Sequence, residues 1–107
     1  MTNLTDLTIS ESLAKLKTKD ISPVELTQAY IDKMSENGKY NAYVTQTAEQ
    51  ALEGAKEAEK RYNNGTNRPL EGIALGIKDL FCTKNVRTTA CSHIIDNFIP
   101  PYESTVT

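Results

Sequence analysis

Apolar residues recur at helical spacing along most of this chain and then alternate over one short run. Thr8 followed by Glu11 has the form of a capping box, with Ile9, Leu13 and Leu16 in a narrow apolar stripe behind it. This predicts a helix over 9–19. Ser22, Pro23 and Glu25 give a stronger start: a capping hydroxyl, a proline at the first helical position and the box carboxylate. Val24, Leu26, Tyr30, Ile31 and Met34 make the broad apolar face of this second helix, over 23–37, which Asn37-Gly38 should stop in a left-handed conformation. Tyr40 to Thr47 reads as a short extended piece, carried by Tyr43 and Val44. Ala48, Ala51, Leu52, Ala55, Ala58 and Tyr62 share one side of a third helix over 48–64, small enough to pack closely on a sheet or another helix. Glu53, Lys56, Glu57, Lys60 and Arg61 form its solvated side, and Gly65 ends it. The three helices read as scaffold, with no residue placed for chemistry.

After Arg68 the period changes. The stretch "PLEGIALGIKDLF", Pro69 to Phe81, predicts a strand over 73–79. Ile73, Leu75 and Ile77 point to one face, which should pack under the helices, while Ala74, Gly76 and Lys78 point to the other. Small residues beside a polar group let a substrate or another backbone come close. Spacing leaves two readings of Lys78 open: a surface charge at a strand end, or a base kept neutral for chemistry. From Cys82 onward the chain is loop-rich. A turn is predicted at Lys84-Asn85, and a short helical turn within Ser92 to Phe98, anchored by Ile94, Ile95 and Phe98. Pro100-Pro101 enforces extended geometry. Tyr102 reads as a further anchor of the loop, and Ser104 to Thr107 as the start of another element.

Composition narrows the function classes. A length of 107 residues suits one small domain or a piece of a larger one. The net charge of −2 and the lack of any basic cluster beyond Lys15, Lys17 and Lys19, on a solvated helix face, argue against a nucleic-acid surface. No 18-residue apolar run predicts a membrane span, and the first ten residues lack the basic and apolar regions of a secretory signal. The two cysteines, Cys82 and Cys91, read as free thiols of a cytosolic protein. Their spacing and the single histidine, His93, match no zinc pattern, so no metal site is expected.

The stretches "SPVELTQAYIDKM", "NAYVTQT", "PLEGIALGIKDLF" and "RTTACSHIIDNFIPPYESTVT" together resemble the amidase signature family, over nearly the whole chain. "TTACS" and "PPYESTV" look more like its tRNA-dependent amidotransferase members than like generic amidases. The resemblance implies an α/β fold: N-terminal helices packed on the first strands of a larger mixed-sheet domain, of which residues 1–107 would be the N-terminal part. It implies a Ser–Ser–Lys triad in which Lys78 is the general base of a proton relay, and both serines would lie in a Gly/Ser-rich segment further along, outside these residues. Thr88, Thr89 and Ser92 either border the substrate pocket or make local turns. The implied substrate is glutamine, hydrolysed to supply ammonia for the ATP-dependent conversion of Glu-tRNA(Gln), or Asp-tRNA(Asn), to the amide. ATP and magnesium would act at a partner subunit, with tRNA engaged only through the complex, in the cytoplasm. The chain alone would be inactive. The family commonly has proline at Ala74, alanine at Gly76 and glycine at Asn85; the residues here are small or tolerate a left-handed turn. Two other readings stand beside this one: a piece of another amidase-signature hydrolase, and a stand-alone helical interaction module.

The implied role is demanding. An ordinary lysine titrates near 10.4, so roughly one in 2,500 is neutral at pH 7. Bringing a base to working pH takes ~3 pH units, or ~4 kcal/mol against the charged form. Burial away from a carboxylate supplies this. Asp79, on the opposite face of a strand, need not pair with Lys78.

Overall fold

Both capping boxes form in the computed structural model, which describes residues 3–107. Thr8 Oγ1 accepts the Glu11 N–H at 3.2 Å while the Glu11 carboxylate accepts the Thr8 N–H at 2.8 Å. These bonds open helix α1 (Ile9–Lys17). Ser22 and Glu25 repeat the pattern at 3.1 and 3.2 Å, and Pro23 begins α2 (Pro23–Glu36). Helix α3 spans Ala48–Asn64. Each box satisfies two of the N–H groups that a helix start leaves unpaired.

Two helix ends differ from expectation. Helix α1 stops at Lys17, and Lys19 turns left-handed at φ 63. Helix α2 does not end in a left-handed residue: Asn37 has φ −100, and its side-chain amide donates to Lys33 O at 3.0 Å. The chain then continues as a 3-10 turn, Gly38–Tyr40. Gly65 closes α3 at φ 71, as the sequence predicts.

The described residues form two compact units. The first comprises residues 3–40 and Ala48–Ala74. In it α2 and α3 pack on each other. Leu16, Leu26, Ala55 and Ala58 are its buried apolar residues, so the alanine face of α3 meets a helix. The apolar stripes are narrower than predicted, with Ile9 55% exposed and Ala51 exposed. Gly72 sits at φ +84, and a Cβ there would lie 3.2 Å from Leu16 Cδ1 and 3.3 Å from Pro23. Gly72→Ala combines a left-handed penalty with crowding against the core. It is expected to destabilise the chain by about 1–2 kcal/mol, read as a lower urea midpoint with an unchanged slope.

The second unit comprises Asn41–Thr47 and Leu75–Thr107. Its hydrogen bonds run between loops. Thr83 and Val86 form an antiparallel bridge across the predicted Lys84-Asn85 turn, with Asn85 left-handed at φ 64. Asn85 N–H donates to Pro100 O at 2.9 Å, Thr88 N–H to Phe98 O at 3.0 Å and Ser104 N–H to Cys82 O at 2.8 Å. The helical turn after Ser92 is the 3-10 turn His93–Ile95; of its three predicted anchors Phe98 is half-buried, while Ile94 and Ile95 are exposed, by 95% and 39%. Tyr102, also read as an anchor, is 55% exposed. With the helical turn so short, its isoleucines have no facing element to pack on.

The strand predicted over 73–79 does not form. Residues 73–78 carry no regular secondary structure, and the elements among the described residues are all helical. Leu75 and Ile77, expected on a buried face, are 69% and 48% exposed. Residues 40–47 likewise make no strand. Alternation gives a segment the side-chain period of a strand, but only a neighbouring backbone can pair its N–H and C=O groups. The α/β expectation is therefore not met within these residues. No helix among the described residues is long and apolar enough to cross a membrane.

Candidate active site

Lys78 lies in the extended segment, exposed, and belongs to none of the ion pairs found among the described residues. Its carbonyl accepts the Phe81 N–H at 3.1 Å, so the chain turns immediately after it. Two positions before the lysine, a Cβ built on Gly76 would meet the Tyr43 ring at 3.9 Å, an ordinary contact. The alanine common at this position in the family would fit here.

Asp79 turns away from Lys78 and into the loop that follows. Its carboxylate accepts the Thr89 N–H at 2.9 Å, the Thr89 hydroxyl and the Cys91 N–H at 3.2 Å, and its carbonyl accepts the Ala90 N–H at 2.7 Å. Burial pushes this carboxyl up, but the Thr89 and Cys91 donors and the charge of Arg87 outweigh it and hold the group below its ordinary value. Arg87 forms an ion pair with Asp96 and donates to Thr45 Oγ1 at 3.1 Å.

The three hydroxyls singled out from the sequence are all engaged in hydrogen bonds, two of them within their own loop. Thr88, 5% exposed, donates to Val86 O at 3.0 Å. Thr89, 2% exposed, donates to Asp79. Ser92 Oγ accepts the Ile94 N–H at 3.2 Å and caps the 3-10 turn. The structure thus links Thr89 to the lysine-bearing segment through Asp79, while Thr88 and Ser92 serve the backbone of their own loop. Cys82 and Cys91 are both free thiols. Among the described residues no three His, Cys, Asp or Glu side chains come together as a metal cluster.

Glu71, in the first unit, has a role that the sequence did not suggest. It is 4% exposed and accepts from Arg61 at 2.6 Å and from Arg68 Nε at 2.6 Å, while Tyr62 donates its hydroxyl to Glu71 O at 2.7 Å. The Arg68 hydrogen bond is the main reason the Glu71 carboxyl is held at about 2, against an ordinary 4.5; burial opposes it and Arg61 reinforces it. Arg61, read as part of a solvated helix face, is thereby committed to the fold. The available signal was an acid in an apolar run, three residues after one arginine and ten after another. A depression of about 280 Å³ nearby is lined by Leu13, Lys17, Tyr62, Asn67, Arg68 and Pro69, none of them a predicted site residue.

The local geometry is thus an exposed lysine followed by a carboxylate that knots a threonine-rich loop. The amidase family model matches residues 25–107, and the chain belongs to the amidase family. Among its relatives are three proteins named as the A subunit of glutamyl-tRNA(Gln) amidotransferase. The one from Xanthobacter autotrophicus is 54% identical over 107 residues, that from Chelativorans sp. 56% over 108 and that from Agrobacterium fabrum 53% over 108. Each match covers all of this chain and 22% of the relative, so the chain spans about a fifth of the length of the curated relatives it matches.

Proposed function

We propose that the chain is part of the amidase subunit of a glutamine-dependent tRNA amidotransferase, and that Lys78 is the base of its Ser–Ser–Lys relay. The observation that carries this is identity above half, along the entire chain, to relatives bearing that name. In this reading the segment joins further chain in a larger α/β domain of the cytoplasm, where strand partners cover residues 73–79. Lys78, neutral once buried there, accepts a proton through a bridging serine, which deprotonates the nucleophilic serine. That serine attacks the side-chain amide carbon of glutamine, the C–N bond breaks, and ammonia leaves with a proton. Water then hydrolyses the acyl-enzyme to glutamate. The ammonia passes to a partner subunit, where ATP and magnesium activate Glu-tRNA(Gln); no step of that activation is assigned to residues of this chain.

The test is ammonia release from glutamine by the longer protein assembled with its partner subunits. The expected result is glutamine-dependent release that supports amidation of Glu-tRNA(Gln). Hydrolysis of other amides but not glutamine would instead favour a different amidase-signature hydrolase, and no hydrolysis at all would favour an interaction module. On this reading the 107-residue chain by itself is expected to release none, since the family resemblance puts both serines of the relay outside these residues.

A further inference from the structure

A base must be held within a fraction of an ångström of its partner, and misplacement by about 1 Å costs on the order of 10²-fold in rate. Among the described residues the segment that carries Lys78 pairs with no ladder, so what fixes it within this chain comes from the residues that follow. The residue directly after Lys78 is tied down at both ends, by its carboxylate to Thr89 and Cys91 and by its carbonyl to Ala90. The loop so gripped is itself strained. Ala90 at φ 49 and Cys91 at φ 58 are consecutive non-glycine residues in the left-handed region, a conformation that persists only where the surroundings over-determine it. Here the Asp79 carbonyl takes the Ala90 N–H, and the Asp79 carboxylate takes the N–H and hydroxyl of Thr89 and the N–H of Cys91. Thr89 is 2% exposed, so its hydroxyl has no ready access to water as an alternative partner.

We infer that Asp79 and Thr89 are positioning residues for Lys78: the carboxylate–hydroxyl clasp locks the backbone on which the lysine stands and so sets where its amine points. The inference rests on the reading of Lys78 as the relay base and adds to it. It also gives Thr89 a role other than lining a substrate pocket. Asp79 is half-buried, and the donors arranged around its carboxylate hold the group below its ordinary value against the push of burial.

The experiment uses the complete amidotransferase complex and steady-state glutamine hydrolysis. Thr89→Val, which keeps the shape and removes the hydroxyl, is expected to lower kcat about 10–100-fold and leave KM for glutamine within about twofold. Thr89→Ser, which restores the hydroxyl, should bring kcat back to within about threefold of the parent. Asp79→Glu, which keeps the charge and moves it by one methylene, should lower kcat in the same way and decides the matter if Thr89→Val does not fold. Parental kcat in both Thr89→Val and Asp79→Glu overturns the inference. So does a raised KM with unchanged kcat in Thr89→Val, which would make Thr89 a substrate contact. Lys78→Ala in the same assay separates the two ideas. If it is inactive while the clasp variants turn over normally, only the positioning role fails; if it is active, the base reading fails and the positioning role falls with it.

Discussion

Lys78→Ala in the assembled enzyme is expected to lose glutamine hydrolysis by at least about 10³-fold. A positioned general base contributes on the order of 10²–10⁴ in rate, and residues that act as a relay fail together when one is removed. Lys78→Arg should be as inactive, because a guanidinium stays protonated and cannot accept the proton. The fold should survive both changes, since the Lys78 side chain takes part in none of the ion pairs found among the described residues and its removal leaves none of them broken. Ammonia release measures the first claim; circular dichroism and co-purification with the partner subunits measure the second. Glutamine hydrolysis at parental rate by the alanine variant would remove Lys78 from the mechanism. A transfer assay supplied with free ammonia in place of glutamine should still amidate Glu-tRNA(Gln) in both variants, which localises the defect to hydrolysis.

The second large effect belongs to Glu71. Its folded-state value of about 2 lies below the ordinary 4.5, so its contribution to stability is present above about pH 4.5 and is lost as pH falls toward 2. That gap corresponds to about 3 kcal/mol as a ceiling. The Arg68 side chain is 71% exposed, so solvent screening brings the expected contribution to about 1–2 kcal/mol. Glu71→Ala should therefore lower the melting temperature of the chain by about 5–10 °C at pH 7. It should also flatten the acid limb, so that parent and variant converge near pH 2. Glu71→Gln keeps an acceptor for the arginines and should fall between the two. Melting curves at about pH 7, 4.5 and 2.5 test this. A constant difference between parent and alanine variant across that range would show that the carboxylate charge is not the source of the stability.

Glu71 and Asp79 also mark where the sequence stops being informative. Both are acids beside more conspicuous residues, Gly72 and Lys78, and each depends on at least one partner outside its own segment. Glu71 is satisfied from α3 and from the turn before it, and Asp79 from a loop ten residues on. The exposed isoleucines of the 3-10 turn show the converse, since apolar identity alone does not bring a covering element.

What the sequence determined by itself is local in range. Capping side chains reach N–H groups three residues away, proline fixes its own φ, and an alanine row at helical spacing gives a helix a close-packing face wherever it docks. Hence the three helices and the Lys84-Asn85 turn are legible from the residues alone. Tertiary structure decided whether alternating residues 73–79 became a strand, which way Asp79 turned and which arginines neutralised Glu71. Each of those outcomes depends on a partner brought close by folding. A ladder needs a second backbone, and the Glu71 carboxylate needs Arg61 from α3 beside its neighbour Arg68; the remote partner in each case is not encoded in the segment that requires it.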